Sequence, residues 1–315
     1  MTRLLVVGGN GQVGRELLRS LAPLGEVIAT TRDGRLHAVD EGTAVACVQA
    51  DLADTEALAA LVREIAPDVV LNAAACTAVD KAESDADTAF RINAEAPGVL
   101  ARACAKAGIP LVHYSTDYVF DGQGTRPWRE DDPTAPLGVY GASKLAGEQA
   151  VREAGGRHFI FRTAWVYAAH GHNFLRTMLR LGAARDELRV VADQIGSPTS
   201  AALIADATAA VLSQMLADSR HAGGTWHLVA SGETSWHGFA EAIFDEAVAA
   251  GLLARRPKVV PITTAEYPTP ARRPGYSRLD TSRFQRDFGF DLPDWKEGLR
   301  EVVATLAHSR ATGGK

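Results

Sequence analysis

The segment LLVVGGNGQVGRELLRSLAPL, residues 4–24, holds an apolar run, a glycine-rich turn and an amphipathic stretch in that order. Residues 4–7 predict a buried strand, and residues 15–24 predict the helix after it. Glycine recurs every three residues in the turn, which allows a tight bend and a close backbone approach to a diphosphate at the helix N-terminus. Because a strand precedes the turn and a helix follows it, we predict that it binds a dinucleotide rather than serving only as a structural turn. The predicted contacts are Gly8, Gly11, Gln12, Val13 and Gly14.

The alternation of strand and helix repeats through the first half of the chain. Apolar runs predict further strands at residues 26–30, 45–49, 68–72, 111–115 and 158–163. Such repeats predict an α/β fold with a doubly wound, Rossmann-like parallel sheet. The alternation then becomes irregular, with helices predicted at 172–183, 200–216, 235–250 and 294–306, and short strands near 188–191, 225–229 and 259–262.

This change of pattern suggests two unequal domains. We expect residues 1–168 to form the dinucleotide-binding domain, with residues 200–230 returning to it. A smaller α/β substrate-binding lobe is expected from residues 169–199 and 231–307, and a flexible tail from residues 308–315.

The composition excludes several classes of protein. Of the 315 residues, 46% are hydrophobic and 23% are charged, as in ordinary globular proteins. A formal charge of -5 and the absence of long Lys/Arg runs argue against a nucleic-acid partner. The three cysteines show neither disulfide nor metal-ligand spacing, and no apolar run reaches the ~18–20 residues of a membrane span. We therefore expect a cytoplasmic protein that does not bind membranes.

Residues 31–33 follow the second predicted strand, where this fold selects its dinucleotide. An acidic residue there holds the adenosine ribose hydroxyls, whereas an arginine can pair with a 2′-phosphate. Arg32 therefore favours NADPH, with NADH as a weaker substitute, unless it is a solvated loop arginine beside Asp33. The predicted adenine contacts are Asp51 and Leu52, and small residues after the strand at 68–72 would admit the nicotinamide ring: Ala73, Ala74 and Ala75.

Tyr140 and Lys144 lie four residues apart in a predicted helix, so they share one face with their Cβ atoms about 5–6 Å apart. An ammonium beside a phenol stabilises the phenolate and lowers the phenol pKa from about 10. We therefore predict a general acid at Tyr140 tuned by Lys144, the alternative being a solvated pair. Thr116 at a strand end and Tyr140 at a helix start can converge.

These features together resemble the extended short-chain dehydrogenase/reductase superfamily, and within it the dTDP-4-dehydrorhamnose reductases more closely. The resemblance covers nearly the whole chain. The motifs that carry it are GNGQVGREL within residues 8–17, STDYVFDG at 115–122, YGASKLAGE at 140–148, RTAWVY at 162–167, NFLRTMLRL at 173–181, DQIGSPT at 193–199 and YPTPARRPGYSRLD at 267–280.

The resemblance implies that NADPH reduces the C4 ketone of dTDP-4-dehydro-L-rhamnose to give dTDP-L-rhamnose. Tyr140 would donate the proton, and Lys144 would tune it and hold the nicotinamide ribose. Thr116 would hydrogen-bond the ketone oxygen, or would instead cap a turn. The implied substrate contacts are Thr116, Asp117, Trp165, Asn173 and Arg273. Trp165 could equally be a core residue, and Arg272 could replace Arg273 at the diphosphate.

Two other functions stay open from sequence. One is a sister reductase that acts on another dTDP-ketosugar. The other is a non-catalytic regulatory subunit, since such a subunit of methionine adenosyltransferase resembles the same family. An intact set of Thr116, Tyr140 and Lys144 argues against that second function.

The resemblance also bears on metal binding. Some of these reductases are described as dimers joined by a magnesium ion that glutamates hold. Glu16 matches one such position, but Ala202 occupies the other and has no ligand atom. We therefore expect no tightly bound metal, and a monomer or weak homodimer, unless a carboxylate such as Glu297 or Glu301 substitutes.

Overall fold

The structure, a computed structural model, describes residues 1–37, 45–217 and 223–312. The strands within these ranges are β1 (Arg3–Val7), β2 (Glu26–Thr31), β3 (Ala46–Gln49), β4 (Val69–Asn72), β5 (Leu111–Thr116), β6 (His158–Thr163), β7 (Val166–Tyr167), β8 (Glu187–Val191), β9 (Ile195–Gly196), β10 (Thr199–Ser200), β11 (Gly224–His227), β12 (Thr234–Ser235) and β13 (Lys258–Ile262). Seven of them form a parallel sheet in the order β11-β6-β5-β4-β1-β2-β3. The predicted doubly wound α/β fold is thus confirmed.

The helices of the described residues are α1 (Gln12–Leu21), α2 (Thr55–Ile65), α3 (Val79–Ala82), α4 (Ala86–Phe90), α5 (Ala96–Ala107), α6 (Val139–Glu153), α7 (Phe174–Ala184), α8 (Ala201–Ala217), α9 (Trp236–Ala249), α10 (Ser282–Phe288) and α11 (Trp295–Thr312). Asp54 caps α2, since its side chain accepts a hydrogen bond from the Ala57 N–H. A π-helical turn, Arg91–Glu95, joins α4 to α5, and Pro97 lies in the first turn of α5, where a proline is tolerated.

Both faces of the large sheet are covered, which explains the continuous apolar runs of its strands. Successive side chains point to opposite faces, so Leu4 and Val6 pack on one face while Leu5 and Val7 pack on the other. Helices α1 and α8 cover the first face, and α2 and α5 cover the second. All four side chains are fully buried, and each such burial stabilises the fold by about 1.5–3 kcal/mol.

A second apolar core lies among α7, α9 and α11 and the parallel pair β8 and β13. Three short pairings outside the large sheet involve β7 with β10, β9 with β12, and β8 with β13. The two-residue strands were not predicted, because two residues are too few to show a period of two in the sequence.

The element boundaries differ from the prediction by three residues or more at two helices, α1 and α11. Helix α1 begins at Gln12, three residues earlier than the amphipathic pattern suggests, because the glycine turn itself supplies its first turn. Helix α11 continues to Thr312, into the segment expected to be a tail. Its last turns are held by a hydrogen bond of 2.9 Å from Arg310 Nη1 to the Leu252 carbonyl. Residues 313–315 lie outside the described residues.

No helix in the described ranges is both long enough and apolar enough to span a membrane. The carboxyl ends of β1, β4 and β5 lie side by side, and the strand order reverses between β1 and β4. In open α/β sheets ligands bind at such a point of reversal. The candidate site is therefore built from the residues that follow these three strands.

Candidate active site

The glycine turn follows β1 and contacts the segment after β4. Gly8 has φ +91°, and a Cβ at that position would lie 2.7 Å from the Cβ of Ala74. A Cβ at Gly14 would clash with the carbonyl oxygen of Gly8. Helix α1 starts here with no side-chain cap and no acidic residue in its first turn, so its first N–H groups can bind an anion. The backbone therefore forms a cradle that fits a dinucleotide diphosphate.

Arg32 lies in the turn after β2. Its side chain is exposed, and no hydrogen bond or ion pair to it is found within the described ranges. The neighbouring turn is well ordered, because the Thr31 hydroxyl donates to Asp33 Oδ1 at 2.9 Å and accepts from the Arg35 N–H at 2.9 Å. Asp33 in turn pairs with His37 at 3.1 Å, and not with Arg32. The guanidinium of Arg32 is thus available to a ligand.

The other predicted cofactor residues lie after β3 and β4. Asp51 is exposed and its Oδ1 accepts from the Ala53 N–H at 2.9 Å, whereas Leu52 is buried in the core beneath α2. The half-buried alanines after β4 are fixed through their backbone. Ala73 N–H donates to the Val7 carbonyl at 3.0 Å, and Ala74 N–H donates to Asn72 Oδ1 at 3.3 Å. Ala75 follows them in the same segment.

Asn93, which sequence reasoning did not single out, ties the segment after β4 to α6. Its Oδ1 accepts from the Cys76 N–H at 2.8 Å, and its Nδ2 donates to the Cys76 carbonyl and to Ser143 Oγ, both at 3.0 Å. The side chain is fully buried. Asn93 lies in the π-helical turn, which directs its side chain toward both partners. Sequence reasoning missed Asn93 because no local sequence pattern predicts a π-helical turn.

Thr116 and Tyr140 do converge. The Thr116 hydroxyl lies close enough to the Tyr140 phenol to act on its pKa, which it lowers against the larger effect of burial. The same hydroxyl donates to Asp117 Oδ1 at 3.0 Å and accepts from the Tyr118 N–H at 3.2 Å, so Thr116 also caps the turn after β5. The Tyr118 ring packs edge-on against Tyr140 with the centroids 5.4 Å apart. Both roles considered for Thr116 are therefore compatible with its position.

Lys144 lies on the same helix as Tyr140, α6, and its buried Nζ donates to the Tyr114 carbonyl at 2.6 Å. Burial raises the pKa of the Tyr140 phenol, opposite to the effect predicted for Lys144. Burial also lowers the pKa of Lys144 to about 8, while Glu148 acts to raise it. The tuning of Tyr140 by Lys144 stays a prediction, since in this arrangement the ammonium donates to a carbonyl rather than to the phenol oxygen.

A buried ion pair anchors the helix that carries Tyr140 and Lys144. Arg162 on β6 donates to both carboxylate oxygens of Glu148 on α6, at 2.8 and 2.7 Å, and both side chains are inaccessible to solvent. Arg152 adds a third hydrogen bond of 2.7 Å to Glu148. Burial acts to raise the pKa of Glu148, but the guanidinium of Arg162 outweighs it and the net pKa is lowered. The pair fixes α6 against the sheet.

A cavity of about 750 Å³ opens beside the second apolar core, between α7, β8 and the segment before Arg273. Arg273 lines it and pairs through Nη2 with Asp80 Oδ2 at 2.9 Å, while its buried Nε has no partner within the described ranges. Arg272 is exposed and does not line the cavity. Of the two arginines, Arg273 is the one positioned to bind a ligand there. Asp80 was not predicted, since it lies 193 residues away in the chain.

Trp165 lies at the border of this cavity in a strained conformation. Its φ is +49°, and its ring stacks on Trp236 with the centroids 3.5 Å apart. Trp236 lines the cavity, contacts Phe174 at 4.6 Å and donates to Gln194 Oε1 at 3.1 Å. Backbone strain at a non-glycine residue is more frequent at functional sites than elsewhere. Trp165 is half-buried, so it is neither a fully buried core residue nor an exposed one.

Asn173 is hydrogen-bonded to Gln12 at the start of α1, next to the glycine turn. Its Nδ2 donates to Gln12 Oε1 at 2.7 Å and to the carbonyls of Ala168 and His170, and its Oδ1 caps α7 by accepting from the Arg176 N–H. Its polar atoms are thus already bonded within the protein. A role for Asn173 in binding substrate would require breaking these bonds. Its hydrogen bonds instead connect the start of α7 to the start of α1.

Comparison with known proteins adds to this geometry. The family model for the RmlD substrate binding domain matches residues 1–308. A dTDP-4-dehydrorhamnose reductase of Burkholderia thailandensis is 50% identical over 310 residues, 96% of this chain and 99% of that protein. One from Escherichia coli strain K12 is 48% identical over 303 residues, 96% of this chain and 97% of that protein. The crystal structure of a dTDP-4-dehydrorhamnose reductase from Bacillus anthracis in complex with NADP superposes with a TM-score of 0.83 at 35% identity, over 96% of this chain and 99% of that one.

Proposed function

This chain belongs to the RmlD substrate binding domain family of dTDP-4-dehydrorhamnose reductases, and on that premise we propose that it reduces dTDP-4-dehydro-L-rhamnose to dTDP-L-rhamnose with NADPH. The reaction adds a hydride to the C4 carbon of the sugar and a proton to its oxygen. The single observation that carries the proposal is the convergence of Tyr140 and Thr116 in a fold whose glycine turn is able to bind a dinucleotide.

The cofactor fits the residues after β1 and β2. The glycine turn and the N-terminus of α1 would hold the diphosphate, and Arg32 would pair with the 2′-phosphate. The alanines after β4 would face the nicotinamide, and Lys144 would hold the adjoining ribose. When bound, NADPH supplies the hydride.

The protein's part is to protonate the oxygen as negative charge develops on it. A phenol whose pKa is raised by burial stays protonated at neutral pH, so Tyr140 is a proton donor in its resting state. A sugar alkoxide is a stronger base than a phenolate, so it can take that proton as it forms. The Thr116 hydroxyl lies near the Tyr140 phenol, and a ketone oxygen placed between them would be stabilised by both hydroxyls.

The cavity next to Trp165 supplies room for the dTDP part of the substrate. Arginine suits a diphosphate because its planar fork matches phosphate oxygens, and Arg273 has an unpartnered Nε inside the described ranges. Part of the cavity is lined by apolar and aromatic side chains that suit a thymine ring, while charged side chains such as Arg185, Glu187 and Glu266 line other parts. The apolar and aromatic side chains are Phe174, Met178, Leu181, Val190, Trp236 and Ile262. Asp117 and Trp165 would contact the sugar at the boundary with the catalytic residues.

The test is consumption of NADPH by the purified chain with dTDP-4-dehydro-L-rhamnose, followed by identification of the sugar product. We expect one dTDP-L-rhamnose formed per NADPH oxidised. A 4-epimeric product would instead indicate a sister ketosugar reductase. Binding of NADPH without turnover of this substrate or its epimers would contradict the proposal and favour a non-catalytic subunit.

A further inference from the structure

The segment that leads into α7 packs against the start of α1. Gln12, the first residue of α1, accepts a hydrogen bond of 3.3 Å from His170 Nε2 at its backbone carbonyl. Gly171 has φ +70°, and a Cβ at that position would lie 3.1 Å from Gln12 Cγ. Asn173 Nδ2 donates to Gln12 Oε1 at 2.7 Å. Gln12, beside the glycine turn, is therefore held by a segment that is distant from it in the chain.

The hydrogen bonds of Asn173 fix the orientation of the Gln12 amide. Asn173 Nδ2 also donates to the carbonyls of Ala168 and His170, at 2.9 and 3.1 Å, and Asn173 Oδ1 accepts from the Arg176 N–H at 3.0 Å. Asn173 is thus the donor in its bond to Gln12, and the Gln12 atom that faces it must be the amide oxygen. No hydrogen bond from Gln12 Nε2 is found within the described ranges. Gln12 Nε2 therefore keeps its two protons available to a ligand.

This available donor lies where the cofactor diphosphate is expected. Gln12 is half-buried and begins α1, directly after the glycine turn. A diphosphate at this helix N-terminus can accept a hydrogen bond from Gln12 Nε2 while Oε1 keeps its bond to Asn173. One amide would then connect the cofactor to Asn173, and the two hydrogen bonds would strengthen each other by polarising that amide.

Asn173 in turn holds one wall of the substrate cavity. Its Oδ1 caps the N-terminus of α7, and its backbone carbonyl accepts from Thr177 Oγ1 at 2.9 Å. Four residues of α7 line the cavity, and the first of them directly follows Asn173: Phe174, Thr177, Met178 and Leu181. The position of this wall therefore depends on the residue that Gln12 bonds.

We propose that Gln12 and Asn173 are positioning residues that couple the two binding sites, so that NADPH at the glycine turn raises the affinity of the cavity for the dTDP group. This rests on the function proposed above, which assigns the cavity to dTDP. A bound cofactor diphosphate fixes the Gln12 amide, and Asn173 with the start of α7 is then already ordered when the nucleotide binds. Such coupling is reciprocal, so dTDP raises the affinity for the cofactor by the same factor.

The experiment is isothermal titration calorimetry of dTDP binding to the purified chain, without NADP⁺ and with saturating NADP⁺. The ratio of the two Kd values measures the coupling. We expect this ratio to be about 2–10-fold larger for the wild type than for Gln12→Leu, the range that one hydrogen bond supplies. Asn173→Ser should reduce the ratio equally, because serine still caps α7 but removes the amide donor to Gln12. The double variant should show no further reduction, since both substitutions remove the same bond.

Two controls make the test specific. Gln149→Leu removes an exposed glutamine on α6 and should keep the wild-type ratio. Titration of NADP⁺ with and without dTDP must give the same ratio as the dTDP titrations, because the coupling is reciprocal. A ratio that stays at the wild-type value in Gln12→Leu or in Asn173→Ser would overturn the proposal and leave the hydrogen bond as a structural link only. A wild type that does not bind dTDP, with or without NADP⁺, would contradict the proposed function instead.

Discussion

The chemistry of the site depends on how single side chains are surrounded. Tyr140 and Lys144 share a helix, yet the ammonium bonds the Tyr114 carbonyl while the phenol lies near the Thr116 hydroxyl. A partly buried phenol with a raised pKa holds its proton until a stronger base forms beside it. We therefore expect Tyr140 to be protonated before the reduction and to donate its proton as the alkoxide forms.

Replacing Tyr140 by Phe removes the donated proton and leaves the ring in place against Tyr118. We expect turnover to fall by about 10²–10⁴-fold, the usual contribution of a general acid, with nearly unchanged affinity for NADPH. Steady-state kinetics and fluorescence titration of NADPH measure the two quantities. Tyr114→Phe is the matched control, since its phenol bonds Thr208 on the far side of the strand at 2.9 Å. Near-normal turnover of Tyr140→Phe would rule out this donor.

The preference between cofactors is predicted to depend on Arg32. A charge-assisted hydrogen bond from Arg32 to the 2′-phosphate would contribute about 1.5–3 kcal/mol, which corresponds to about 10–150-fold in affinity. Because the Arg32 side chain is exposed, we expect an effect near the lower end of that range. Arg32→Ala should reduce the ratio of kcat/KM for NADPH over NADH by that factor. Arg63→Ala, an exposed arginine on α2, should leave the ratio unchanged. An unaltered ratio in Arg32→Ala would identify Arg32 as a solvated loop residue.

At the scale of elements, helix α6 must keep a fixed position against the sheet, because Tyr140 on α6 has to stay close to Thr116 at the end of β5. The buried pair of Glu148 and Arg162 joins the middle of α6 to β6, the strand next to the one that ends at Thr116. Breaking a buried pair leaves an uncompensated charge and costs about 3–5 kcal/mol.

Glu148→Gln should therefore lower the free energy of unfolding by about 3–5 kcal/mol, because the Arg162 guanidinium loses its counter-charge. Urea denaturation measures this difference. The control is Glu26→Gln. Glu26 pairs with Arg3, both side chains are half-exposed, and loss of this ion pair should cost less than about 1 kcal/mol. If the two variants were equally stable, the buried pair would not be what anchors α6.

At the scale of the whole molecule, we predict a monomer or weak homodimer that does not depend on magnesium. Glu16 pairs with Arg19 at 3.3 Å, and the matching second position is Ala202. Glu297 and Glu301 line a separate cavity of about 310 Å³. Within the described residues, no group of three or more His, Cys, Asp or Glu side chains is arranged to hold a metal.

Sedimentation velocity with EDTA and with added magnesium tests this prediction, and we expect the same sedimentation coefficient in both. Ala202→Glu restores the carboxylate that the family pattern contains, and should make association sensitive to EDTA. A wild-type dimer that dissociates on chelation and re-forms with magnesium would show that Glu297 or Glu301 completes the site.

Several features could be predicted because they depend on residues close together in the chain. A strand, a glycine turn and a helix follow from the local order of apolar residues and glycines in residues 4–24, and repetition of that unit specifies the parallel sheet. The spacing of Tyr140 and Lys144 likewise places both on α6. Backbone geometry over a few residues is sufficient for each of these conclusions.

Side-chain partners were decided only when distant elements packed. Asp80 and Arg273 are 193 residues apart, and Gln12 and Asn173 are 161 residues apart. Even neighbours on one helix can diverge, as Lys144 does when it bonds a carbonyl of β5. Hydrogen-bond geometry is set within fractions of an ångström by the packing of whole elements, and residue spacing carries no such information. The chain order therefore specifies the sheet and its glycine turn, while the packed structure decides which atoms Tyr140, Thr116 and Asp117 present to one another.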